Sequence, residues 1–163
     1  MRLCLLLFAL HLPLPVIAQP GVPVSERQLA RLGIAFGPPA ASGLSVFSPG
    51  VGYGGPCYHS GPSGPYYECG SYAVAVLVDG EYEYDVLTTH TLFLAPQSVI
   101  EPYVSGYAGV GHGQELGVVW GTEAGLNLWI TPTGGLAVYG GWVRGERQQY
   151  ARIGVGLVFV AGP

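Results

Sequence analysis

The stretch Leu116–Ile130, LGVVWGTEAGLNLWI, decides the fold class because its two faces differ in kind. Bulky apolar residues dominate one set of alternate positions: Leu116, Val118, Trp120, Thr122, Ala124, Leu126, Leu128 and Ile130. The other set includes Gly117, Gly121, Glu123, Gly125 and Asn127. Successive side chains of a strand point to opposite sides, so one face is apolar and the other is small or polar. A soluble sheet buries its bulky face, whereas a strand of a transmembrane barrel turns it outward, and the pattern predicts the latter.

The composition also favours a membrane-inserted β protein. Charged residues make up 10% of the chain, lysine is absent and glycine occurs 27 times, whereas an ordinary soluble protein is about 25% charged. After the first twenty residues no apolar run approaches the roughly 20 residues of a spanning helix. Such a chain enters a bilayer as a closed barrel, because every backbone polar group must be paired there. A secreted, glycine-rich β-sandwich remains the alternative. No basic stripe suggests a nucleic-acid partner.

The N-terminal residues 1–18 have the form of a secretory signal peptide. Arg2 precedes the apolar run LCLLLFAL, and Val16-Ile17-Ala18 forms a small-residue cleavage pattern. The alternative, an uncleaved anchor helix, is disfavoured by the early prolines. The predicted organisation is therefore a signal peptide (1–18), an N-terminal segment (19–28) and a β-barrel domain (29–163).

Two cysteines of the exported chain, Cys57 and Cys69, flank a segment rich in Gly, Pro and Ser. In an oxidising compartment this arrangement predicts one disulfide that closes a loop. A metal site with His59 is the alternative, but two Cys and one His fall short of the four ligands of a structural zinc site.

The strand count depends on Leu29–Phe36. Ser25 and Gln28 have the spacing of a helix-capping box, so Gln28–Gly33 could be a short helix; alternatively, Leu29–Phe36 is a first strand. Bacterial single-chain barrels have even strand numbers, which favours the strand. The fold predicted is thus an all-β, eight-stranded antiparallel up-and-down transmembrane β-barrel, with further strands at 43–54, 66–78, 81–94, 99–111, 115–130, 135–144 and 149–160.

The connections have turn chemistry, such as Asp79-Gly80 for a two-residue hairpin. With both termini on the periplasmic side, the turns at Ala95–Ser98 and Thr131–Gly134 lie there too. The disulfide loop is expected at that same end.

Inside the barrel the pattern predicts a polar network. Glu123 and Asn127 lie on the inward face of their strand, and Arg152 lies between inward glycines of the last strand. An eight-stranded lumen is filled by side chains, and a buried charge needs a partner. We therefore expect Glu123, Arg152 and Asn127 to belong to one interior network. Aromatic residues near strand ends are assigned to the interfacial girdles: Tyr82, Tyr84, Trp129, Trp142 and Tyr150.

Three segments resemble the small outer-membrane β-barrel proteins of the opacity type and the outer-membrane-protein-A-like type. They are PYVSGYAGVGHG (102–113), GTEAGLNLWITPTGGLAVYGGW (121–142) and YARIGVGLVFV (150–160). The resemblance covers roughly the last 60 residues and rests on alternation, glycine and the Thr-Pro turn. It implies an outer-membrane location and no residue set that performs chemistry.

No catalytic or metal-binding constellation stands out. His59, His90 and His112 have no Ser, Cys or carboxylate at a spacing typical of a nucleophile and its base. The acidic run Asp79, Glu81, Glu83 and Asp85 would suit a divalent cation, although a solvated hairpin face is the preferred interpretation. No metal ion and no cofactor is therefore expected.

The sequence thus predicts a bacterial outer-membrane barrel with a structural or surface-interaction role and no catalysis. The partners expected are outer-membrane lipid, the barrel-insertion machinery and other envelope proteins, and no nucleic acid. The alternatives are a soluble secreted β-barrel or sandwich that binds a ligand or assembles at the cell surface, and a lipid-modifying enzyme that uses His90.

Overall fold

Eight strands account for nearly all of the chain that the structure describes. The structure, a computed structural model, describes residues 26–37, 46–59, 66–78, 81–112, 116–145 and 149–161. The predicted signal peptide lies outside these ranges. The strands are β1 (Leu29–Gly37), β2 (Val46–His59), β3 (Tyr66–Val78), β4 (Glu81–Phe93), β5 (Ile100–His112), β6 (Leu116–Thr131), β7 (Gly134–Arg144) and β8 (Gln149–Val160).

The strands form a closed antiparallel barrel in sequence order, as predicted. β1 is a strand, so the helix alternative for Gln28–Gly33 is wrong. When the paired residues are followed from Leu29 on β1 through β2 to β7, the last partner reached is Tyr150 on β8. Leu29 itself pairs with Val160, a stagger of 10 residues between positions 150 and 160. Such a stagger over eight strands corresponds to a strand tilt of about 40°.

The two ends of the barrel are set by the up-and-down order. We call the end with Leu29 and Val160 the basal end and the opposite one the distal end. The connections β2–β3, β4–β5 and β6–β7 lie at the basal end together with the start of β1 and the end of β8. Within the described ranges, no helix has both the length and the apolar character needed to cross a membrane.

β2 extends further than the sequence predicted, to His59 instead of Gly54. Its register shifts between Pro56 and Tyr58, where a bulge occurs. A bulge accommodates proline because the missing N–H is not needed in the ladder. Cys57 and Cys69 form a disulfide across the β2–β3 pair at the basal end.

The side-chain rows face the directions that the opening stretch predicted. Leu116 and Ile153 are each 67% exposed on the barrel exterior, and Val118, Leu126, Val155 and Leu157 are exposed as well. Leu128, on the same outward row, is half-buried. Asn127 and Arg152 are buried inside the barrel. The structure therefore turns its aliphatic rows outward and its polar rows inward.

The girdle assignment of Trp129 is wrong. This side chain is 0% exposed and packs in the lumen, because Trp129 shares its face of β6 with Glu123 and Asn127. Trp142 lies on the exterior, where its ring contacts Trp120 edge-on at 5.0 Å between centroids, and Tyr84 is exposed. The side chains of Tyr82 and Tyr150 lie outside the described part of the structure.

Candidate functional site

The lumen contains the charged chemistry of this protein, and its basal end is organised around Glu101. Arg27 Nη2 donates to Glu101 Oε1 at 2.9 Å, with both side chains fully buried. Asn127 Nδ2 and Trp129 Nε1 donate to the other carboxylate oxygen, at 3.2 and 3.4 Å. The backbone N–H of Gln97, in the β4–β5 turn, donates to Oε1 at 3.2 Å. We call Arg27, Gln97, Glu101, Asn127 and Trp129 the basal cluster.

Three aromatic rings surround the Arg27 guanidinium. Its Cζ lies 5.5 Å from the Tyr66 centroid, 5.3 Å from Phe93 and 5.5 Å from Trp129. The Tyr66 hydroxyl donates to the carbonyl of Arg27 at 3.3 Å. A guanidinium in such an aromatic cage is stabilised by the ring quadrupoles as well as by its carboxylate. Residue 27 therefore fixes the start of the described chain inside the barrel, before the first strand begins.

A second ion pair lies next to the basal cluster. Arg31 Nη1 lies 2.9 Å from Glu68 Oε1, and Glu68 is fully buried. The Arg31 guanidinium also lies 5.7 Å from the centroids of both Phe93 and Tyr103. Sequence reasoning overlooked this pair, although Arg31 occupies the face of β1 opposite to Leu32, Ile34 and Phe36.

The third ion pair joins Glu123 and Arg152. Arg152 Nη2 donates to Glu123 Oε2 at 3.0 Å, and the Tyr103 hydroxyl donates to Oε1 at 3.0 Å. The guanidinium faces the rings of Tyr107 and Tyr139, at 5.2 and 5.9 Å. We call Tyr103, Glu123 and Arg152 the central cluster. Of the three residues assigned to one network, Glu123 and Arg152 thus lie together, whereas Asn127 belongs to the basal cluster.

Inward glycines make room for the inward tyrosines. A Cβ at Gly154 would lie 2.2 Å from Cζ of Tyr139, and one at Gly125 would lie 2.7 Å from Cζ of Tyr103. Tyr72 covers Gly50 and Gly52 in the same way. An eight-stranded lumen is too narrow for large side chains on every strand, so glycine on one strand accommodates tyrosine on another.

A small cavity lies inside the described part of the barrel. A cavity of about 40 Å³ lies against the central cluster, and Arg31, Tyr72 and Thr89 also line it. This volume has room for a few waters. Above it, towards the distal end, a buried apolar cluster fills the lumen: Val74, Val76, Leu87, Tyr107, Val119 and Val143. The described lumen is therefore a packed interior with buried ion pairs.

The other residues considered from the sequence do not form a reaction centre in the described part of the chain. His90 is exposed, and its Nδ1 lies 3.4 Å from Cys69 Sγ. The side chains of His59, His112 and Glu81, and all of Asp79, lie outside the described residues. Asp85 is only 5% exposed, so its assignment to a solvated hairpin face is wrong; it points inward with Leu87. Within the described ranges no three His, Cys, Asp or Glu side chains are grouped to hold a metal ion.

Comparison with solved structures finds chains similar to this barrel. The crystal structure of Neisserial surface protein A (NspA) superimposes with a TM-score of 0.61 at 11% identity, over 83% of this chain and 97% of that one. This chain has the fold of a small outer-membrane barrel. A de novo designed transmembrane β-barrel gives a TM-score of 0.49 at 13% identity, over 86% and 96% of the two chains. No family model and no curated protein sequence matches the chain.

The NspA-like fold agrees with the resemblance to small outer-membrane barrels seen in the sequence, and with the predicted eight strands. At 11% identity the similarity concerns the fold alone. The role of this chain is therefore inferred from its own side chains.

Proposed function

We propose that this protein spans a bacterial outer membrane as a closed barrel, with a structural or surface-interaction role and no catalysis. One observation carries the proposal: aliphatic rows such as Ile153, Val155 and Leu157 are exposed, while three Arg–Glu pairs among the described residues lie inside. Lipid tails favour the first arrangement, and the second places charges where each has a partner.

The soluble alternative requires the reverse arrangement. A soluble barrel would bring these aliphatic rows together in a central core, whereas here they are distributed around the outside. A continuous apolar exterior in water would be an aggregation surface. The same exterior facing hydrocarbon is stable, which supports the membrane over the aqueous location.

The filled lumen supports a role without transport. The basal cluster occupies one end, the apolar cluster occupies the part towards the other, and the cavity between them admits only a few waters. An ion crossing this interior would have to displace buried side chains that are paired with one another. We therefore expect the barrel to conduct no steady ionic current.

The enzyme alternative lacks support among the described residues. His90 faces outward next to a disulfide sulfur, not next to a carboxylate or an activated hydroxyl. Outer-membrane lipid, the insertion machinery and neighbouring envelope proteins are the partners that fit a barrel of this kind, and we propose them on that basis.

Fractionation combined with gel migration tests the proposal. The full-length protein is expected to remain with the outer-membrane fraction after a carbonate wash and to migrate faster unboiled than boiled. In planar bilayers it is expected to give no stable conductance. Recovery in the soluble fraction with heat-independent migration would contradict the membrane location, and stable channels would contradict the closed lumen.

A further inference from the structure

Three polar side chains interrupt the apolar exterior of the barrel on two neighbouring strands. Ser71 on β3 pairs directly with Thr88 on β4, and His90 pairs with Cys69. All three side chains are exposed on the outer surface. We call Ser71, Thr88 and His90 the polar patch.

Ser71 and Thr88 lie at middle depth, and His90 lies closer to the basal end, beside Cys69 of the disulfide. Thr88 is one residue from the centre of β4 (Glu81–Phe93), and Ser71 is one residue from the centre of β3 (Tyr66–Val78). On the distal side of Thr88, Val86 is 61% exposed, and Leu92 lies on the basal side of His90. The patch is therefore enclosed by apolar surface within the same strand.

The chain itself satisfies these groups only in part. Thr88 Oγ1 donates to the carbonyl of Ala108 at 3.0 Å, and His90 Nδ1 contacts Cys69 Sγ. Within the described residues no partner is found for His90 Nε2. Hydrocarbon offers no hydrogen bonds, so a polar side chain at this depth is costly unless another protein covers it.

The neighbouring strand β5 has only small residues beside the patch. Gly106 pairs with His90 and Ala108 pairs with Thr88. A Cβ at Gly106 would meet no atom within 4 Å. Packing inside this chain therefore does not require glycine there, unlike at the inward glycines. Small residues on a membrane-facing surface let a second backbone approach closely.

We propose that the polar patch is the interface at which a second copy of this chain docks in the membrane, about a two-fold axis along the membrane normal. This inference rests on the membrane location proposed above. A partner must present hydrogen-bonding groups at the same depth. A second copy inserted in the same direction does so, because its own polar patch then lies at the same depth in the membrane. Hydroxyl and imidazole groups both donate and accept, so the patch is complementary to itself.

Site-specific photo-crosslinking in intact outer membranes tests the proposal. In the test variant a benzoylphenylalanine residue replaces Ala108, beside the patch. In the matched control it replaces Val155 on β8, across the barrel. Irradiation is expected to give a band at twice the mass of the full-length chain from position 108 and not from position 155. Two differently tagged copies identify both halves of that band as this protein.

A double variant supplies the second measurement. Thr88→Val with His90→Leu is expected to retain the heat-dependent gel shift while the crosslinked dimer falls about tenfold, since two or three hydrogen bonds in the membrane are lost. The control, Ile153→Val with Val155→Leu, is expected to leave the dimer yield unchanged. A double variant that does not fold leaves the comparison of positions 108 and 155 to decide.

Three results would overturn the dimer: no product at position 108, equal products at both positions, or a dimer that survives the double variant. Crosslinking at position 108 to a different protein alone would also overturn it. A folded, membrane-integrated monomer contradicts the dimer and leaves the proposed function intact. A chain that fails to integrate or to shift on boiling contradicts both.

Discussion

Arg27 and Glu101 are 74 positions apart in sequence and form a fully buried ion pair, with Nη2 2.9 Å from Oε1. Arg27 precedes the first strand, so this pair ties the segment before the barrel to the start of β5. The Glu101 carboxylate accepts from four donors, which lie on Arg27, Gln97, Asn127 and Trp129. The basal end is therefore closed by a specific polar structure and not by apolar packing alone.

Glu101→Gln is expected to destabilise the folded barrel by about 3–5 kcal/mol, because it leaves the buried Arg27 guanidinium without its counter-charge. Urea unfolding in lipid vesicles measures the change. Adding Arg27→Met removes the uncompensated charge, so the double variant is expected to regain much of the stability. Equal stability of the wild type and the single variant would contradict a buried pair.

Glu123→Ala is expected to cost about 2–3 kcal/mol, since Arg152 loses its carboxylate and Tyr103 loses its acceptor inside the lumen. Glu26→Ala is the matched control, because Glu26 is exposed, and it is expected to change stability by less than about 0.5 kcal/mol. Thermal unfolding followed by gel migration compares the two variants. A similar unfolding midpoint for both variants would contradict the ion pair between Glu123 and Arg152.

Gly154→Ala and Gly140→Ala test the contact between tyrosine and glycine on adjacent strands. At Gly154 a Cβ would lie 2.2 Å from Tyr139 Cζ, whereas at outward-facing Gly140 the nearest atom would be 3.8 Å away. The first substitution is expected to cost about 1–3 kcal/mol through overpacking, and the second much less. The free energy of unfolding in urea measures both changes. A larger loss for Gly140→Ala than for Gly154→Ala would contradict the assignment of Gly154 to the lumen and Gly140 to the exterior.

Leu126→Arg is expected to block stable insertion, because an arginine facing lipid near the midplane costs about 2–4 kcal/mol. Thr133→Arg, in the exposed β6–β7 turn, is expected to insert normally because arginine near the interface costs only about 0–1 kcal/mol. The yield of heat-shifting protein in the outer-membrane fraction measures both. Normal yield of the Leu126 variant would contradict the outward assignment of this row.

Alternation within single strands made most of the barrel predictable. The strict two-residue period of β6 and β8 assigned Leu126 and Ile153 to the exterior and Glu123 and Arg152 to the lumen before the strands were paired. β3 and β8 begin and end where the sequence predicted. The same alternation also places Trp129 inside. The girdle assignment of Trp129 failed because it relied on the residue type and ignored which face of β6 the residue occupies.

The partners across the lumen were harder to predict, because they depend on the stagger of the whole barrel. Glu101 shares its face of β5 with Tyr103, Ser105 and Tyr107, so its inward direction could have been read from alternation. That it meets Arg27 follows only when eight strands close with their 10-residue stagger. The position of Arg27, outside any strand, has no signal in strand periodicity.

Quenching of single-tryptophan variants by lipids brominated along the acyl chain tests most directly which side chains face hydrocarbon. One variant keeps Trp120, which is exposed on the outside, and the other keeps Trp129, which is buried in the lumen; phenylalanine replaces the other two tryptophans. The structure predicts strong quenching of Trp120 and little quenching of Trp129. Unquenched Trp120, or equal quenching of both, would contradict a barrel that turns its aliphatic rows to lipid and its ion pairs to the lumen.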